Sequence, residues 1–129
     1  MKKKQLYSFK KECRDLMNLC HDIQNRVVEK MCSCDEKQVL VLKDYLNCLK
    51  TVECLCKYCC CCCCCMEELS ENIKKEVLSK CKSLTRICKK LKEMLDKETC
   101  DYLACDKVIK HCNKCSTMCS EKKRKTRKN

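Results

Sequence analysis

A chain of 129 residues that contains no Gly and no Pro is restricted to folds that need neither. Gly supplies positive φ and close backbone approach, and Pro pre-sets the first corner of a turn. Without them a β-sandwich, a collagen-like rod, a phosphate-cradling loop and a dinucleotide fold are excluded. What remains is an all-α protein, and the length suffices for one domain with one core.

Twenty-one of the residues are Cys, against one Phe and no Trp. With the thiols set aside, the hydrophobic share of 45% leaves a thin supply of ordinary core residues. Thiols must therefore fill part of the interior. What else they do depends on the redox compartment. A small secreted domain of this density would be a disulfide framework. The segment from Met1 to Lys11 is basic but has no apolar run behind it, which does not fit a signal peptide. No apolar stretch reaches membrane-spanning length, and an odd cysteine count leaves one thiol over in any closed intrachain pairing. These features point to a reducing, cytoplasmic setting, where dense cysteine binds metal.

Helical periodicity runs almost throughout. Leu6, Phe9, Cys13, Leu16, Cys20, Ile23 and Val27 recur in steps of three and four, the stripe of a first amphipathic helix. Ser33 with Glu36 three residues on has the form of a capping box, which predicts a second helix from about Asp35. Its stripe is Leu42, Tyr45, Leu49, Val52, Cys56 and Cys59, with a second register through Cys48. A third helix carries Leu69, Ile73, Val77, Cys81, Leu84, Cys88, Leu91 and Leu95. Thr99 can cap a fourth, with Cys105, Val108, Cys112, Cys115 and Cys119 on its stripe. Short connections make an antiparallel up-down-up-down four-helix bundle the expected packing. It spans residues 1–120, has a Cys-lined core, and is followed by a basic, disordered tail over 121–129.

One or two buried cysteines are ordinary space fillers. Thiols on the stripes of all four helices are a different matter. Thiolates are soft ligands that select Cu(I) and Zn(II) over hard cations, and a Cys-x-x-Cys or Cys-x-x-x-Cys step puts two sulfurs on one helix face. Cys112, Cys115 and Cys119 form two such steps in succession.

That ladder, Cys112-Asn113-Lys114-Cys115-Ser116-Thr117-Met118-Cys119, resembles the last helix of the four-helix-bundle copper storage proteins. These are Cys-rich bundles that hold many Cu(I) ions inside by thiolate pairs. As architecture the resemblance covers roughly residues 7–119. Leu16, Ile23, Val27 and Val108 stand where family members tend to have Cys, which implies a lower capacity. The resemblance implies storage or buffering of Cu(I), several ions per chain, and a homo-oligomer.

Counting residues up from the turns joining helices one and two and helices three and four, at about 1.5 Å per residue, gives two adjacent thiol layers. Cys20, Cys48, Cys88 and Cys112 form one, and Cys13, Cys54, Cys81, Cys115 and Cys119 the other. At the turns themselves Cys32, Cys34, Cys100 and Cys105 could converge as a second cluster. Four thiolates at a tetrahedral point suit Zn(II), although the Cys-x-Cys and Cys-x4-Cys spacings are not a common finger pair; exposed turn cysteines are the plainer reading.

The run Cys59 to Cys65 is conspicuous but less specific. It reads as a port where exposed thiols capture Cu(I) and pass it inward, as an expanded repeat without function, or as an acylated string like that of the cysteine-string proteins. In the last case buried acyl chains would fix a scaffold to a membrane. The net charge of +12 is partly the tail, where Lys122, Lys123, Arg124, Lys125, Arg127 and Lys128 cluster. With almost no interleaved aromatics and no reader fold, no specific nucleic-acid recognition is expected. His21 and His111 adjoin Cys20 and Cys112 one position off the stripe, as surface residues or auxiliary ligands. Met66 and Met118 are gap fillers or soft thioether ligands. No nucleophile has a defined base and pocket, so catalysis is not expected.

Overall fold

The computed structural model describes residues 3–62 and 69–128, with side chains over 4–61 and 69–120. The described residues contain no strand. The helices are α1 (Lys3–Met31), α2 (Glu36–Lys57), α3 (Glu71–Met94), α4 (Lys97–Tyr102) and α5 (Cys105–Lys128), with a π-helical turn over Tyr58–Cys62 directly after α2. The all-α expectation holds, with five α-helices where the periodicity predicts four. Cys63, Cys64, Cys65 and Met66 lie outside the described residues.

The chain turns without Gly by using side-chain oxygens. α1 ends where Ser33 donates to the Lys30 carbonyl through both its amide (3.1 Å) and its hydroxyl (3.2 Å). α2 starts at Asp35, whose carboxylate accepts the Gln38 amide at 2.9 Å while the Gln38 side chain accepts the Asp35 amide at 3.1 Å. The capping box is therefore Asp35 with Gln38, two positions beyond the Ser33–Glu36 pair the sequence suggests. Asp is as good a cap as Ser, and Gln closes the reciprocal bond as Glu does. Ser70 caps α3 through the Ile73 amide.

The third connection differs more. The reversal comes at Leu95–Asp96, with Asp96 capping α4 through the Thr99 amide at 2.7 Å. Thr99 is thus inside the short helix and is not its cap. α4 hands over to α5 at Leu103–Ala104, where Ala104 takes φ of 57°. Gly would adopt this left-handed conformation freely, whereas a Cβ costs about 1–2 kcal/mol. The junction is held by the hydroxyl of fully buried Tyr45, which donates to the Leu103 carbonyl at 2.9 Å.

The backbone of α5 stays helical to Lys128, so residues 121–128 of the tail expected to be disordered are helix. Lys and Arg are good helix formers, and the chain has no Pro or Gly to stop them.

α1 packs on α2 and α5, and α3 packs on α2 and α5. The α1 stripe is buried throughout, from Leu6 to Val27, as are Leu42, Tyr45, Leu49, Val52, Cys56 and Cys59. On α3 the buried set is Lys74, Val77, Cys81, Leu84, Cys88 and Leu91. Ile73, which the periodicity puts on the stripe, is only partly buried. No helix among the described residues is long and apolar enough to cross a membrane.

Candidate metal centre

Among the described residues twelve buried thiols line the core: Cys13 and Cys20 from α1, Cys56 from α2, Cys59 and Cys60 from the π-turn, Cys81 and Cys88 from α3, Cys100 from α4, and Cys105, Cys112, Cys115 and Cys119 from α5. Every cysteine described is a free thiol. The thiols fall into groups along the core.

The upper group centres on Cys13, whose thiol is within hydrogen-bonding reach of Cys115, Cys56 and Cys59 and is pushed far up by those bonds and by burial. Cys59, as the acceptor from Cys13, is held below the ordinary thiol range despite its burial. Cys119 lies near Cys115 and Cys59, and burial pushes its thiol up to about 12.

Below it Cys112 donates to Cys81 across α5 and α3, which with burial drives Cys112 strongly up. Cys81 is held down by the same bond, with help from Ser116. Cys20 faces this level and is raised by burial. The lower group is a chain in which Cys100 bonds Cys105 and Cys105 bonds Cys88. Burial pushes Cys100 up to about 11. The Tyr45 phenol lies against Cys88 and is raised chiefly by burial.

A hydrogen bond between thiols stabilises the acceptor's anion at the donor's expense. Cys59 and Cys81 are accordingly the sulfurs readiest to become thiolate, and each stands beside a second thiol. Sulfur pairs of this kind suit a two-coordinate soft cation. Among the described residues no group of three or more His, Cys, Asp and Glu could hold a metal ion as it stands. The thiols are gathered pairwise along the core and not about one point.

The grouping differs from the two layers counted from sequence. Cys112 faces Cys81 and Cys105 faces Cys88, because the chain reverses at Asp96, about one helical turn before the Thr99 position used in that count. Cys54 is exposed and does not join the core; it sits two residues from Cys56, on another side of α2. Cys48 is half-buried, its thiol on the Lys80 carbonyl at 3.9 Å. The alternative of a second cluster at the turns is not assembled among the described residues. Cys32 is exposed and donates to the Val28 carbonyl at the end of α1, Cys34 is half-buried, and Cys100 with Cys105 belongs to the lower group.

Both histidines pair with carboxylates. His21, largely exposed, has Nδ1 3.0 Å from Glu53, and His111 has Nδ1 3.3 Å from Glu12. Met118 packs partly buried against the core. Within the cysteine run Cys59 and Cys60 face inward and Cys61 outward. Sequence reasoning missed Cys60, because a run of identical residues carries no phase, and Lys74, because a cation is not scored as a core residue. No family model, curated protein or solved structure matches this chain.

Proposed function

We propose that this chain is a cytoplasmic Cu(I)-binding protein that stores or buffers copper through pairs of cysteine thiolates inside an antiparallel four-helix bundle. The observation that carries the reading is the pairing of buried thiols from different helices, Cys13 with Cys59 and Cys115, Cys81 with Cys112, and Cys88 with Cys105. Two fixed sulfurs on packed helices need little reorganisation to hold a linear Cu(I). The up-down-up-down arrangement is supported by contacts that run in opposite sequence order between neighbours. Gln38 reaches Met94 while Cys48 reaches Lys80, and Glu12 meets His111 while Glu29 meets Tyr102.

On this reading the ligands are Cys13, Cys20, Cys56, Cys59, Cys81, Cys88, Cys105, Cys112, Cys115 and Cys119, with Cys100 joining the lower group. The activity is binding and not catalysis, and the partners are metal ions and a second copy of the chain. The test is anaerobic titration of the reduced protein with Cu(I) against a competing chelator. Several ions per chain, below the ceiling of about ten set by two sulfurs per ion, is the expected result. Binding of none or one overturns storage.

A further inference from the structure

The buried face of α3 reads Lys74, Val77, Cys81, Leu84, Cys88, Leu91, a ladder whose top rung is a cation. Lys74 is 3% exposed and is the buried charged side chain among the described residues. Its Nζ lies 3.3 Å from Glu71, whose own side chain is 66% exposed. A solvated carboxylate one turn away compensates a buried ammonium only in part, and an isolated buried charge is costly. Such a residue persists at a core position where an anion is to be met.

The register shows which groups it would meet. Cys88 opposite Cys105 and Cys81 opposite Cys112 fix α3 against α5. Continuing the same pairing upward sets Lys74 opposite Cys119, where its charge is felt. Cys119 adjoins Cys115 and Cys59, and both of these adjoin Cys13. Among the described residues the lower group has no comparable cation: Lys92 acts on Cys100 but is half-exposed and already paired with Asp106 at 2.6 Å.

Loading one Cu(I) on two thiols releases two protons to the buffer and leaves a bis-thiolate complex of charge −1. In a buried site that charge needs a counter-ion. We propose that Lys74 is the fixed counter-cation of the Cys13, Cys59, Cys115 and Cys119 group, and that it makes this group the first to load with Cu(I). The inference rests on the copper-binding reading above. It adds an order of filling set by one positioning residue that is not a ligand.

The experiment uses the full reduced chain, given one equivalent of Cu(I) from a competing chelator complex under anaerobic conditions, then alkylated and mapped peptide by peptide. In the unaltered protein Cys13, Cys59, Cys115 and Cys119 are expected to be protected before Cys81 and Cys112. Lys74→Met keeps the length and removes the charge. It is expected to weaken the first step about tenfold, as an opposite charge a few Å away does in a partly buried site, and to spread protection over the lower groups. Lys74→Arg restores the order. Glu71→Gln leaves it intact, and the metal-free Lys74→Met variant folds as judged by circular dichroism. First protection at Cys81 and Cys112, an unchanged first step in Lys74→Met, or an equal loss in Glu71→Gln overturns the role of Lys74 while leaving copper binding standing. Uptake of no copper by any variant overturns both.

Discussion

Tyr45→Phe tests how the lower thiol group is held. The Tyr45 ring is fully buried, and its hydroxyl donates to the Leu103 carbonyl at 2.9 Å. That carbonyl belongs to the α4–α5 junction, beside the left-handed Ala104. Phe keeps the ring and removes one bond, so packing is conserved and the change is local. A neutral hydrogen bond contributes about 1 kcal/mol net, and a buried acceptor left without its donor costs about 1–3 kcal/mol. The ring itself is retained, which removes any cavity contribution, so a loss of about 2 kcal/mol is expected. With a urea dependence of about 2 kcal/mol per M, the unfolding midpoint falls by about 1 M, read by circular dichroism in anaerobic reductant. Because Cys105 follows the junction directly, alkylation of Cys100 and Cys105 should also quicken relative to Cys81 and Cys112. A midpoint that stays within about 0.2 M of the unaltered protein would refute the reasoning, since the phenol would then contribute no more than a buried ring.

Ala104→Gly relieves the Cβ penalty at positive φ but loosens the unfolded chain, for a net gain of up to about 1 kcal/mol in the same urea assay. Replacing Cys112, Cys115 and Cys119 together by Ser buries three hydroxyls in place of weakly polar thiols; it should lower stability by about 1–3 kcal/mol per unpartnered hydroxyl and remove more than one bound Cu(I) in the chelator titration. Cys60→Ser with Cys61→Ser should leave the tightest copper binding intact and mainly slow loading, followed by stopped-flow competition. Stability of the metal-free protein should fall as pH rises above 9. Burial lifts the Cys60 and Cys100 thiols to about 11 and Cys119 to about 12. Between the ordinary thiol value and these, the unfolded chain therefore holds fewer protons than the folded one, and unfolding gains. Denaturant midpoints measured from pH 8 to 11 check the sign, and a rise would contradict it.

The stripes of α1 and α5 were legible in the sequence because their steps of three and four leave a single solution, and that of α2 was the first of two registers, the other running through Cys48. Leu6 to Val27 and Cys105 to Cys119 admit one buried face each, and the structure buries these and the Leu42 to Cys59 stripe. What the sequence obscured has three physical causes. Turn positions in a chain without Gly or Pro carry no fixed marker, so Ser33 and Thr99 looked like caps although Asp35 and Asp96 do the capping. The second of these shifts is small along the chain but counts on both sides of the reversal, so it moves every α5 thiol nearly two turns against α3, which is why Cys112 meets Cys81 and not Cys88. Spacing also says nothing of phase within a run of identical residues, so Cys59 and Cys60 facing in with Cys61 facing out had to come from the structure. Cys54 fell into a layer by height alone; height places a residue along an axis but not around it, and Cys54 points away from the core.

The way these thiols are buried bears on how such a core could work both empty and filled. A protonated thiol is small and nearly apolar, so Cys13, Cys20, Cys112 and Cys119 pack among Leu16, Leu49 and Leu84 as hydrophobes do. Donated hydrogen bonds and then burial raise Cys13 and Cys112, burial raises Cys20 and Cys119, and all four stay protonated without metal. The uncharged core is the state that folds; a core of thiolates would carry uncompensated buried charge. Cys59 and Cys81 are the exceptions, each held down by a neighbour's S–H, and each would offer a soft cation the first sulfur of its own pair. The donors beside them, Cys13 and Cys112, then stand in position to give up a proton and supply the second sulfur. Filling would therefore proceed pair by pair, with each step neutral except for one charge. Among the described residues the buried cation that would meet that charge is Lys74, which α3 places at the top of the core.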